Sequence, residues 1–175
     1  MVIISLVASF YFYANFPERV ITHWNFAGEP DGFSSKTVGA FLFPVVIAAI
    51  YLMFLVLPYF DPKKERYEQF AKTYHIFKNL IIGFMFVLFI VSGLVNLGYN
   101  IDIGIVVPAM VGIMFIIMGN YMGKLKHNWF VGIRTPWTLS SENVWNKTHR
   151  VGGWLFILMG IIMLLMPVLP EMVAI

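Results

Sequence analysis

Charge is absent from residues 1–17, 37–60, 79–101, 103–123 and 151–170, and the polar chemistry of the chain is confined to what lies between and beside these stretches. The last four run for 24, 23, 21 and 20 residues. A helix rises about 1.5 Å per residue, so about 20 apolar residues cover a hydrocarbon core of about 30 Å. The pattern predicts a membrane-spanning helix in each of the four. The first stretch is weaker, because its apolar part ends near Ala14 and Asn15-Phe16-Pro17 follow at once. Fourteen residues give roughly 21 Å of helix. It lacks the basic flank and small-residue cleavage site of a signal peptide, and Phe10-Tyr11-Phe12-Tyr13 suits an interfacial aromatic belt. It reads as a retained first span, compatible with a natural N-terminus lying further upstream. The expected fold is all-α, a polytopic transmembrane bundle of five spans.

Composition excludes the soluble alternatives. The chain is 59% hydrophobic and 12% charged, where an ordinary globular chain is roughly 45–50% apolar and about 25% charged. With no cysteine there is no disulfide framework, thiol nucleophile or Cys-based zinc site. The net charge of +3 is a topology signal and not a nucleic-acid footprint, since the cations lie in the connections. Lys and Arg number 2, 5, 0 and 5 along the four successive connections. The positive-inside rule then places the second and fourth connections in the cytoplasm, the N-terminus inside and the C-terminus outside. A multi-pass protein of the plasma membrane in contact with lipids is expected, with no direct binding of nucleic acid.

The organisation follows from this alternation. Residues 1–60 form an N-terminal region of two spans with an outside loop at 15–36, residues 61–78 a short polar cytoplasmic helix, and residues 79–175 a region of three spans with a cytoplasmic loop at 120–150. The outside loop carries His23-Trp24-Asn25 and the turn-forming Gly28-Glu29-Pro30-Asp31-Gly32, and it reads as compact and ordered. The connecting helix begins at Asp61-Pro62, with Glu65 and Glu68 facing Lys and Arg three or four residues away. In the second inside loop Ser140, Ser141 and Glu142 mark a helix start, and Trp145, His149 and Gly152 fall on one face of that helix. Gly104, Gly112, Gly119 and Gly123 mark one side of the fourth span, and Gly153 and Gly160 one side of the fifth, as close helix contacts in lipid. Pro44, Pro108 and Pro167 would kink their helices or sit near ends.

The membrane interior is chemically quiet. It holds no Asp, Glu, Lys, Arg or His; Ser92, Asn96 and the interfacial Asn79 and Asn120 are among its polar residues. Ion-coupled transport normally keeps such groups at depth. Neither a His-Glu-x-x-His metal motif nor paired aspartates at membrane depth are present, and His23 lies on the opposite side from His75, His127 and His149. No catalytic residue, metal ligand or cofactor is therefore assigned, and no enzymatic activity is expected. Arg134, between Gly132 and Pro136, has the strongest claim to ligand chemistry, because a guanidinium in a rigid turn grips phosphate or carboxylate through two parallel hydrogen bonds. A lipid anchor or a helix cap would use the same residue, and His149 reads as a partner of Trp145 before a base.

Gly119-Asn120, Asn128, Gly132-Ile133-Arg134-Thr135-Pro136-Trp137-Thr138, Glu142, Trp145 and Arg150 resemble the signature of the SdpI family, membrane immunity proteins against a secreted sporulation-delaying peptide toxin. The run from Pro17 through His23-Trp24-Asn25 and Gly28 to Ser35-Lys36 is similar to the N-terminal domain of unknown function commonly joined to that signature. The resemblance implies an integral membrane protein giving resistance to a toxic peptide. It also implies signalling, in which the toxin-occupied protein holds a transcriptional repressor at the membrane. The chain departs from that pattern in having no sixth span after the signature and no basic flank at its start.

Two function classes remain beside that one: a small transporter or pore, resting on Asn96 and the glycines of the fourth span, and a membrane enzyme gripping phosphate-bearing lipids through Arg134. For the binding and signalling reading, His23, Trp24, Asn25, Asp31 and Lys36 are the candidates outside. Asn120, Asn128, Arg134, Thr135, Trp137, Trp145 and His149 are the candidates inside.

Overall fold

The computed structural model describes residues 1–166. Its helices are α1 (Val2–Asn15), α2 (Lys36–Phe60), α3 (Tyr67–Asn96), α4 (Ile103–Met122), α5 (Pro136–Ser140) and α6 (Glu142–Leu165), and strands β1 (Arg19–Trp24) and β2 (Pro30–Ser35) lie between α1 and α2. The all-α membrane class holds. Four helices, α2, α3, α4 and α6, are long and apolar enough to cross a membrane, and α1 is a shorter apolar helix of 14 residues. Pro108 lies inside α4, and Pro167 lies outside the described residues.

Two compact units divide the chain, and α2, α3 and α4 each contribute to both. The first comprises Met1–Leu52 and Ile81–Pro108. Its core is aromatic: Phe12, Phe16, Val20, Ala40 and Phe89 are buried together. Phe12 stacks on Phe16 with ring centroids 5.2 Å apart and meets Phe89 edge-on at 5.2 Å. The aromatic run of α1 thus divides, with Phe12 inward while Phe10 and Tyr11 stay 62% and 60% exposed. Ser5 and Ser9 are fully buried on α1 without an orphaned hydroxyl, since each donates to a carbonyl of its own helix, Val2 O and Ser5 O.

The outer loop is a β-hairpin, which the turn-rich composition did not disclose. β1 and β2 pair antiparallel from Arg19↔Ser35 to Trp24↔Pro30, with irregularities after Ile21 and His23. Asn25 builds the tip: its Oδ1 accepts from the backbone N–H of Ala27 and Glu29 (2.9 and 3.0 Å), and Gly28 takes the positive φ of +78° that an L side chain resists. α3 ends as a Schellman cap, with Tyr99 N donating to Leu94 O, Gly98 N to Val95 O, and Gly98 at φ +92°.

The second unit comprises Met53–Leu80 and Ala109 onward. Here α4 and α6 cross backbone to backbone. A Cβ at Gly119 would lie 2.5 Å from Gly153 O, and one at Gly160 would lie 2.5 Å from Gly112 O. The glycine faces expected for these helices are therefore their contact, with two exceptions. Gly104 instead packs near Gly28 in the first unit, and Gly123 faces open space apart from Arg150 Cα at 3.9 Å. The polar connection also differs from expectation. After one 3₁₀ turn at Lys64–Arg66 its residues become the first turns of α3, with non-helical dihedrals at Phe70. Arg66 pairs across to Glu142 (2.9 Å).

Candidate functional site

The outer candidates are gathered on the hairpin. His23 and Asp31 face each other across the strands and bond through Nδ1 and Oδ1. Lys36 Nζ donates to Glu18 Oε1 (2.7 Å) and rests 5.3 Å from the centre of the Tyr13 ring. Trp24 ends β1 half-buried, and Asn25 is committed to the turn. Asn96, at the end of α3, holds the hairpin by hydrogen bonds. Asn96 Oδ1 accepts from Ile21 N (2.7 Å) while its Nδ2 donates to Ile21 O (2.9 Å) and Ser92 O (3.0 Å). The polar group at membrane depth on which a pore reading rested is thus engaged in pinning β1.

The inner candidates belong to a buried polar network in the second unit. Asn128 is fully buried and folds its own loop, its Oδ1 accepting from Phe130 N and Val131 N and its Nδ2 donating to Lys126 O and Val131 O. Thr135 caps α5 in a box closed by Thr138, whose side chain answers the Thr135 N–H at 2.8 Å. Trp145, fully buried, donates Nε1–H to Leu125 O (2.9 Å). His149 stacks on it with centroids 4.0 Å apart. Because Nε2 of His149 accepts from Ile133 N (2.9 Å), its Nδ1 carries the proton donated to Trp145 O (2.8 Å). Gly132 lies directly over this ring at φ +127°, where a Cβ would collide with His149 Nε2.

Asp61 ties this loop to the start of α3. The residue is 2% exposed, and its carboxylate accepts from Lys63 N (2.7 Å), Tyr67 Oη (3.0 Å) and Trp129 N (2.9 Å). Lys63 in turn donates its ammonium to Nδ1 of the buried His127 (2.8 Å). Burial, and then the Lys63 charge, push the His127 pKa below its ordinary 6.5.

Two sequence families match. Residues 124–175 match the SdpI/YfhL protein family, and residues 1–48 match a domain of unknown function, DUF1648. The Immunity protein SdpI of Bacillus subtilis (strain 168) is 31% identical over 162 residues, which are 93% of this chain and 75% of that protein. The chain belongs to the SdpI/YfhL family. It is a multi-pass protein of the plasma membrane. No solved structure matches it.

Within this family member, the inner candidates sort into two kinds of residue. Asn128, Trp145 and His149 are buried and Thr135 caps a helix, so these shape the loop. Asn120, Arg134 and Trp137 are exposed, and Arg134 gives one bond, from Nη1 to Trp129 O (3.0 Å), leaving the rest of its fork to solvent. Among the described residues no group of three or more His, Cys, Asp or Glu could hold a metal ion. Sequence reasoning overlooked Asp61, Lys63 and His127, whose partners lie more than 60 residues away. It also overlooked Phe26, which stands fully exposed at the hairpin tip. The one available signal was an aromatic residue inside a polar turn sequence.

Proposed function

We propose that this protein protects the cell carrying it against a secreted toxic peptide, which it meets through the β1–β2 hairpin, and that the 120–150 loop reports the occupied state to a cytoplasmic transcriptional repressor. The observation that carries the immunity reading is the 31% identity to the Bacillus subtilis immunity protein over 93% of the chain. The hairpin supports it by presenting Phe26 and Phe33 exposed beside the His23–Asp31 pair, apolar anchors next to polar groups as peptide contacts require. The exposed Trp129, Arg134 and Trp137 suit the inner contact. α3 links the two roles, since Asn96 at its end holds β1 and Tyr67 at its start bonds the Asp61 carboxylate that anchors Trp129.

Expression in a toxin-sensitive cell raises survival on exposure to the peptide, and Phe26→Ser with Phe33→Ser lowers it again at equal membrane abundance. Absence of protection by the correctly inserted wild-type chain would sink the immunity role. In a repressor-controlled reporter strain, Arg134→Ala with Trp137→Ala keeps protection and loses the reporter response. An unchanged response would remove the signalling role alone.

A further inference from the structure

Where α4 ends and α6 leaves its charged first turns, a pocket of about 270 Å³ opens between Asn120, Gly123, Lys124, Arg150 and Trp154. Lys124 and Arg150 are the first charges beyond the charge-free stretches 103–123 and 151–170, so both stand at the boundary between hydrocarbon and water on the side that the charge pattern assigns to the cytoplasm. Neither is ion-paired among the described residues. Lys124 Nζ rests 4.5 Å from the centre of the Tyr121 ring, a contact that orients the ammonium without neutralising it. Two cations lining one pocket repel each other, and an anion between them reverses that repulsion. Asn120 gives one N–H to Ile116 O (2.8 Å) and keeps a second N–H for a ligand.

The surroundings define what kind of anion fits. Trp154 is 71% exposed at the rim, and Leu158 and Ile161, four and seven residues further along the same helical face, are 54% and 44% exposed. A cationic headgroup site thus continues into an apolar track running toward the membrane interior. We propose that this pocket binds the phosphate of an anionic phospholipid. The Arg150 fork and the Lys124 charge hold the phosphate oxygens, Asn120 donates a third contact, and the acyl chains lie along Trp154, Leu158 and Ile161.

Native mass spectrometry of the full chain, purified in detergent and titrated with phosphatidylglycerol or phosphatidylcholine, tests this. Phosphatidylglycerol is retained in preference to phosphatidylcholine, and Lys124→Gln or Arg150→Gln weakens its binding by about tenfold. Gly123→Leu does the same by filling the pocket, since a Cβ there meets nothing closer than Arg150 Cα at 3.9 Å. The exposed Lys147→Gln, removing a charge outside the pocket, leaves binding unchanged. Equal retention of both lipids, wild-type affinity in Arg150→Gln and Gly123→Leu, or an equal loss in Lys147→Gln overturns the proposal. So does displacement of the lipid by inorganic phosphate, which would make the pocket a site for the free anion.

Discussion

Asp61 shows how one side chain can organise a loop distant in sequence. A carboxylate taken out of water is costly unless its lone pairs are met, and here two backbone N–H groups and a phenol meet them. Asp61→Ala leaves the buried Tyr67 hydroxyl and two part-buried N–H groups without their acceptor, and it lowers stability by about 1–3 kcal/mol, measured as the unfolding free energy in detergent. Gly132 is similarly constrained. Gly132→Ala faces a positive φ and the His149 ring together, and it destabilises by about 2 kcal/mol or more in the same measurement. His127 makes the fold sensitive to pH. Its pKa is held below 6.5 by burial and by Lys63 and Arg66, against the raising influence of the Leu139 carbonyl and Glu142. As pH falls through 6.5 the unfolded chain takes up a proton there and the folded chain does not, so stability declines until the lower folded pKa is passed. The thermal midpoint in detergent falls between pH 7 and 5, and it falls less in His127→Gln.

Helix contacts in this protein are made by absence of side chain as much as by presence. Gly112 with Gly160 and Gly119 with Gly153 bring α4 and α6 together so closely that an added methyl meets a carbonyl oxygen. Gly119→Ala and Gly160→Ala each cost about 1–3 kcal/mol by overpacking, whereas Gly123→Ala is neutral, with all three read from unfolding in detergent. The glycine spacing announced this contact from the sequence, because in lipid close backbone approach is what small residues are selected to permit. Hairpin β1–β2 was not announced. Its strands carry His, Asp, Gly and Ser in place of a clear alternation, and the pairing rests on tertiary support from Asn96 and on Val20 packing in the aromatic core.

For the molecule as a membrane protein, the orientation inferred from charge links the functional proposals, since the hairpin meets an extracellular peptide only if it lies outside. The chain has no cysteine, so single substitutions report sidedness cleanly. Phe26→Cys reacts with a membrane-impermeant maleimide on intact cells, and Lys147→Cys reacts only after the membrane is opened. The reverse labelling would invert the topology and remove the hairpin as a toxin contact. Membrane class was legible in the sequence because insertion is governed by sums over about 20 neighbouring residues. Family membership was legible for a related reason, as a contiguous run from Gly132 to Thr138 carries the signature. What the tertiary structure alone decided is which of these residues are available. Asn96 reaches Ile21 across 75 positions and Asp61 reaches Trp129 across 68. No local pattern encodes such pairings, because they arise only when a buried polar group must find its partner among whatever the folded helices bring within hydrogen-bonding distance.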